Sequence, residues 1–190
     1  MNDEFLLNNK EFRGFCIYRL IFGISYSLLI PIIPLFFKSI GMGTVTIGIV
    51  ISLYGVSKTL IQIPFGIISN NIGDKLTLKL SLILMSLIPI AYVLFGTSFK
   101  AGTIYVLQGA ILGIAAPATY SILARTLDPK RRGACTGLAS AVFTLGGGIG
   151  AAIAGYILAK VKSFNVIFYI SSVGIFFTLV YVKFRVKKVK

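Results

Sequence analysis

Lys58 is the side chain in this sequence with the most chemistry to explain. It lies in GVSKTLIQIPFG, at the middle of a long apolar run, where a cation is costly and marks a functional candidate. Gln62, one helical turn on, shares its face, and Ser52, Gly55, Thr59, Gln62 and Gly66 extend a small or polar stripe at helical spacing. The stripe is predicted to face protein or a water-filled cavity, with the Lys58 ammonium attracting an anion. The plainer reading is a lysine whose stem carries its amine to water or to a carbonyl. Arg19, about one and a half turns into an earlier run, reads as an interface charge or a gate residue. Tyr26 lies about two turns deeper, beside Ser25 and Ser27 and ahead of Pro31 and Pro34. Those prolines remove backbone donors, so this run is expected to wall a cavity. A later run repeats the theme with Gln108, Gly109, Gly113, Pro117 and Thr119. Tyr105 and Tyr120 read as packing or interface anchors rather than ligands.

Much chemistry is excluded. The chain has no His, two Cys, and no Asp or Glu inside any apolar run. That removes His-ligated metal sites, Ser-His-Asp hydrolysis, a disulfide framework and any acid–base pair. The single aspartate of IGDK does not make the pair an intramembrane protease needs. No enzyme activity, metal or cofactor is therefore expected. Gly146, Gly148 and Ala151 fit a loose dinucleotide pattern, but they sit inside an unbroken apolar run without the strand and turn that pattern requires. Cys16 and Cys135 have no metal-binding companions and are read as structural.

The elements that must position these residues follow from composition. Of 190 residues, 56% are hydrophobic and only 13% charged, and mean hydropathy is +0.92. A soluble domain carries about 25% charged residues, so the solvent here is largely lipid. Six runs are long enough to cross a bilayer: about 14–37, 44–69, 76–96, 101–124, 134–159 and 164–183. They lack strand alternation and are read as helices. The first has no small-residue cleavage site and is not a signal peptide. The chain is thus predicted to be one all-α transmembrane domain over 1–190. Gly147, Ala151 and Gly155, like Gly146 and Gly150, recur every four residues, a spacing that lets helices approach closely. Asp74 is expected to cap the third span, and Asp128-Pro129 to open the fifth.

The net charge of +14 comes from 19 Lys and Arg against 5 Asp and Glu. One side of the membrane takes Lys10, Arg13, Arg19, Lys75, Lys79, Arg125, Lys130, Arg131, Arg132, Lys183, Arg185, Lys187, Lys188 and Lys190. The other takes Lys38, Lys100, Lys160 and Lys162. That asymmetry predicts a multi-pass cell-membrane protein with both termini cytoplasmic, and it accounts for the basic character without nucleic acid.

The order of these features resembles the N-terminal half of a major facilitator superfamily transporter. The resemblance covers nearly the whole chain and rests on IPIIPLFFKSIG followed by TIGIVISLYG, on GIISNNIGDK, and on LQGAILGIAAPA followed by DPKRRGACTG. GIISNNIGDK looks like the family's G-x-x-x-D-R-x-G-R-R signature. It keeps Gly66 and Gly73, places Asn70 at the acidic position, Asn71 at the next basic one and Asp74 at the following one, and retains positive charge only at Lys75. Span five resembles the glycine-rich antiporter motif, with Ala151 where antiporters place proline. Tyr105 stands where many proton-coupled members place arginine.

The resemblance implies a six-helix bundle of two inverted three-helix repeats, moving a small solute by alternating access. Spans one, two, four and five would line the pathway, with Lys58, Gln62, Tyr26, Gln108 and Arg19 on it. Spans three and six would pack outside. The loops at 70–75 and 125–133 would close a cytoplasmic gate built from Gly66, Asn70, Gly73, Asp74, Lys75 and Arg132. Proton-driven drug export is not supported by these residues; a uniporter, or a coupling group in another half, fits better. The family normally has twelve spans. The chain is therefore read as a homodimer, as the partner of a separately encoded half, or as a fragment. The alternative function is a non-transporting assembly partner or a truncated remnant.

Overall fold

A computed structural model describes residues 9–125 and 132–185. Among these residues the helices are α1 (Lys10–Ser27), α2 (Ile32–Ser39), α3 (Thr44–Ile72), α4 (Asp74–Leu94), α5 (Ser98–Arg125), α6 (Arg132–Val161) and α7 (Phe164–Arg185). By length and composition they supply six segments able to cross a membrane, with α1 and α2 together forming the first.

The first segment is not one helix as expected from its apolar run. Pro31 has no N–H to return to Ser27, and the chain passes through a turn at 28–31 before α2 begins. Across the turn, Leu29 N–H donates to the Tyr26 carbonyl (3.1 Å) and Ile33 N–H to the Leu29 carbonyl (2.9 Å). Pro64, Pro89 and Pro117 lie within α3, α4 and α5 without ending them. Between α3 and α4 the chain reverses at Gly73 alone, whose φ of 92° is open to glycine and strained for other residues.

Packing has a twofold pattern. The principal contacts pair α3 with α5, α1 with α6, α4 with α5, α1 with α7, and α4 with α7. Exchanging α1 with α5, α3 with α6 and α4 with α7 maps this set onto itself. Two three-helix units of opposite direction therefore interlock as inverted repeats.

Glycines make both crossed pairs close. A methyl at Gly109 or Gly113 of α5 would overlap the carbonyl oxygen of Tyr54 or Lys58 on α3. At Gly146 it would lie 2.7 Å from the Leu20 carbonyl oxygen, and at Gly150 it would overlap that of Ile24 on α1. Serine hydroxyls add bonds between helices where lipid offers none. Ser57 donates to the Val106 carbonyl (2.8 Å), Ser171 to that of Ser25 (2.8 Å) and Ser172 to that of Ser86 (2.7 Å).

The core follows from this packing. One apolar cluster gathers Phe15, Tyr18, Phe22, Leu82 and Ile122 at the end of the bundle carrying Lys10 and Arg185. Another gathers Leu29, Ile33, Phe37, Ile88 and Phe168 toward the opposite end. The helices share this burial unequally. In their most apolar stretches, 6% of α3 and 17% of α6 is buried, against 39% to 61% of the other four segments. The two symmetry-related helices thus form the open side of the bundle.

Candidate functional site

A polar, aromatic centre joins four helices, between mid-height and the end of the bundle opposite Lys10 and Arg185. Tyr26 of α1 and Tyr54 of α3 share a hydroxyl hydrogen bond of 2.6 Å. The Tyr54 ring stacks on Tyr105 of α5, with centroids 4.6 Å apart and planes 21° apart. Tyr92 of α4 donates to Gln108 Oε1 of α5 (3.0 Å). Gln108 is only 2% exposed, so its amide oxygen is held by the Tyr92 phenol rather than by water. Tyr26 lies in the last turn of α1, and Tyr54 reaches α5 because Gly109 lets the backbones close.

Lys58 and Gln62 lie one and two turns along α3 from Tyr54, so all three follow one face. Counting about 1.5 Å per residue, Lys58 stands about 21 Å from either end of α3. It is half-buried, and its ammonium has no hydrogen-bond or ion-pair partner among the described residues. Ser52, Gly55 and Thr59 of the predicted stripe are exposed on the open side, where with Val56 and Leu60 they line a shallow groove of about 420 Å³. The same helix also exposes Ile49, Leu53, Val56, Leu60, Ile63 and Ile67. Arg19 is fixed against α6: its guanidinium sits 4.2 Å over the Phe143 ring, and Nε donates to the Ala139 carbonyl at 3.5 Å. It braces the seam between α1 and α6, a role sequence alone did not assign.

At the other candidate locus, Asp74 is the first residue of α4 and caps nothing through its side chain; Gly73 occupies the cap position. This corrects the expected N-cap. The carboxylate instead reaches α5, where Oδ2 accepts from Ser121 Oγ (2.6 Å) and faces Arg125 Nε at 3.5 Å. Its Oδ1 is buried without a hydrogen-bond partner among the described residues. The arginine that meets this corner is Arg125, whereas Arg132 is exposed at the start of α6. Lys75 donates to the Lys183 carbonyl of α7 (3.2 Å). Gly66 faces Pro117, and Asn70 is exposed. The expected Asp128-Pro129 cap lies outside the described residues.

The small residues of α6 divide. Gly146 and Gly150 pack on α1, and Gly147 faces the Ser27 hydroxyl. Ala151 is half-buried, whereas Gly155 is exposed with open space around it and packs against nothing.

Sequence reasoning missed Tyr54, Tyr92 and Ser121, placed Arg125 in a gate loop without its partner, and took Tyr105 for packing. Tyr54 had a usable signal, since it lies four residues before Lys58 on the face already singled out. Tyr92 and Ser121 had none, because their partners are distant in the chain.

The profile of the Major Facilitator Superfamily matches residues 15–190. Among curated proteins, the chain is similar to an MFS-type transporter of Methanocaldococcus jannaschii, 25% identical over 139 residues, which is 73% of this chain and 36% of that protein. It is also similar to the quinolone resistance protein NorA of Staphylococcus aureus strain MRSA252, 25% identical over 163 residues, or 85% of this chain and 41% of that protein. The chain therefore spans less than half the length of these curated relatives.

Proposed function

The chain belongs to the major facilitator superfamily, and we propose that it works as a transporter half, moving a small solute across the cell membrane by alternating access. The observation that carries this reading is the unpartnered ammonium of Lys58 at mid-height of α3, one turn from the Tyr26–Tyr54 hydroxyl pair and on the open side of the bundle. An unpaired cation at that depth needs an anion or water. The stacked Tyr54 and Tyr105 rings offer a flat apolar wall beside it. The favoured solute is small, polar or anionic, with a planar part.

Alternating access needs a second body facing α3 and α6, and the shallow burial of both helices supports one there. That body is a second copy or a separate six-helix half. The basic asymmetry of the loops supports cytoplasmic placement for both termini of the chain. The Asp74–Ser121–Arg125 corner would then latch α4 to α5 at the inner gate, with Gly66, Asn70, Gly73, Lys75 and Arg132 around it. The described spans carry no carboxylate or His at mid-height, so uniport, or coupling through another half, fits this reading.

The test is flux of small organic anions into liposomes containing the purified full chain. Lys58→Met is expected to raise KM at least tenfold while the protein stays folded and monodisperse. Tyr54→Phe, which keeps the ring and loses the Tyr26 bond, is expected to change KM by a few fold. Unchanged flux in Lys58→Met would overturn the assignment of Lys58 to the pathway.

A further inference from the structure

A second cavity lies far from this centre, between the first turns of α1 and the last turn of α7. It measures about 500 Å³. Lys10, Arg13 and Arg185 line it with one carboxylate, Glu11, so its lining carries three cations against one anion. Both Arg13 and Arg185 lie within electrostatic reach of the Tyr181 phenol, which also faces the cavity. Gly14 adds no side chain, and even a methyl there would only touch the Tyr181 hydroxyl, at 3.7 Å. The first free amides of α1 are already taken by the Asn9 side chain, which accepts from Glu11 N–H (3.0 Å) and Phe12 N–H (3.1 Å). An anion in this cavity must therefore be held by side chains.

The order of residue types along the membrane normal says what kind of anion fits. On α1, Arg13 is followed one turn deeper by Ile17; on α7, Arg185 is preceded one turn deeper by Tyr181. Two helices of opposite direction thus present a cation at the membrane face and an apolar or phenolic group just below it. Ile17 and Phe184 are 40% and 74% exposed, so the cavity opens onto apolar surface rather than ending in it. Free phosphate would use the cations and leave that wall unused; an acylated phosphate ester uses both. We propose that this cavity binds the phosphate headgroup of an anionic phospholipid, at the membrane face where α1 begins and α7 ends. Basic pockets between transmembrane helices have this chemistry in general. The site is independent of the transport reading, since neither its residues nor its ligand enter the central pathway.

The experiment is native mass spectrometry of the full chain, released from nanodiscs of mixed phosphatidylglycerol and phosphatidylcholine. The expected result is retained phosphatidylglycerol in preference to phosphatidylcholine. Retention should fall about fivefold for each guanidinium removed in Arg13→Gln and Arg185→Gln, as about 1 kcal/mol per surface cation implies. Lys38→Gln, on the opposite face, should retain lipid as the parent does, and the tail variant Lys187→Gln/Lys188→Gln/Lys190→Gln should lose less than the Arg13/Arg185 pair. Equal retention of both lipids, or a tail variant that loses as much as the Arg13/Arg185 pair, overturns the pocket. Displacement by sodium phosphate as effective as by short-chain phosphatidylglycerol overturns the lipid and leaves free phosphate as the ligand. Arg13 and Arg185 are exposed, so their glutamine variants should fold; elution as a single species checks this.

Discussion

The Asp74 carboxylate is 7% exposed, with one oxygen on Ser121 and Arg125 and the other without a hydrogen bond. Removing the cation from such a group leaves charge stranded, whereas removing both charges leaves a neutral amide that still accepts from Ser121. Arg125 is 44% exposed, which tempers the pair's worth. Arg125→Ala is therefore expected to lower stability by about 1–2 kcal/mol, and adding Asp74→Asn should restore most of it. Thermal unfolding of the four proteins in one detergent checks this. If the double variant is as unstable as the sum of the singles, the two groups do not interact. Asp74 itself was legible in sequence, because an aspartate after a lone glycine between two apolar runs belongs at a membrane face. Its partner was not, because 47 residues separate it from Ser121, and a local reading assigns it to the nearest helix end.

The helices owe their seams to glycine. Gly113 and Gly150 each face a carbonyl of the neighbouring helix that has no room to retreat, so Gly113→Ala and Gly150→Ala should each cost about 1–3 kcal/mol by overpacking. Gly155→Ala enters open space and gains helix propensity, so it should be neutral or stabilising by up to about 1 kcal/mol. Unfolding of the three variants in a common detergent checks the contrast; equal losses would remove the distinction between the two faces of α6. The four-residue recurrence of these glycines was visible in sequence. Which of the two registers packs was not, because both lie on one apolar helix and lipid rewards neither. The break at Pro31 was foreshadowed by the missing donor, yet Pro64, Pro89 and Pro117 carry the same defect inside continuous helices. Proline marks where a helix can yield, and neighbouring packing settles whether it does.

Across the whole molecule, inverted repeats give α3 and α6 equivalent places, and both are the least buried helices. If α3 lines the proposed pathway, Ser52, Gly55 and Thr59 meet water there, with Val56 and Leu60 beside them. In a background with Cys16 and Cys135 replaced by alanine, Thr59→Cys should react with a water-soluble thiol reagent. Val173→Cys, on the outer surface of α7 and 54% exposed, should resist it. Equal protection of both would place the α3 stripe in lipid. In the same background, Lys75→Cys should label from the cytoplasmic side and Lys100→Cys from the other, as loop charge predicts.

Six apolar segments, their helical state and the basic bias of alternate loops all follow from the amino-acid sequence alone, because each depends on the solvent a segment meets and not on its neighbours. Lipid requires internally bonded backbone, and charge tracks the loops. The family was legible for a related reason: its signatures sit in loops and glycine runs that are local in the chain. Tertiary structure decided the rest. It brought Tyr26, Tyr54, Tyr105, Tyr92 and Gln108 to one centre, moved Asp74 from a cap to Arg125, and set Arg19 on Phe143. Those choices belong to the way two three-helix units interlock, which no single helix's periodicity encodes.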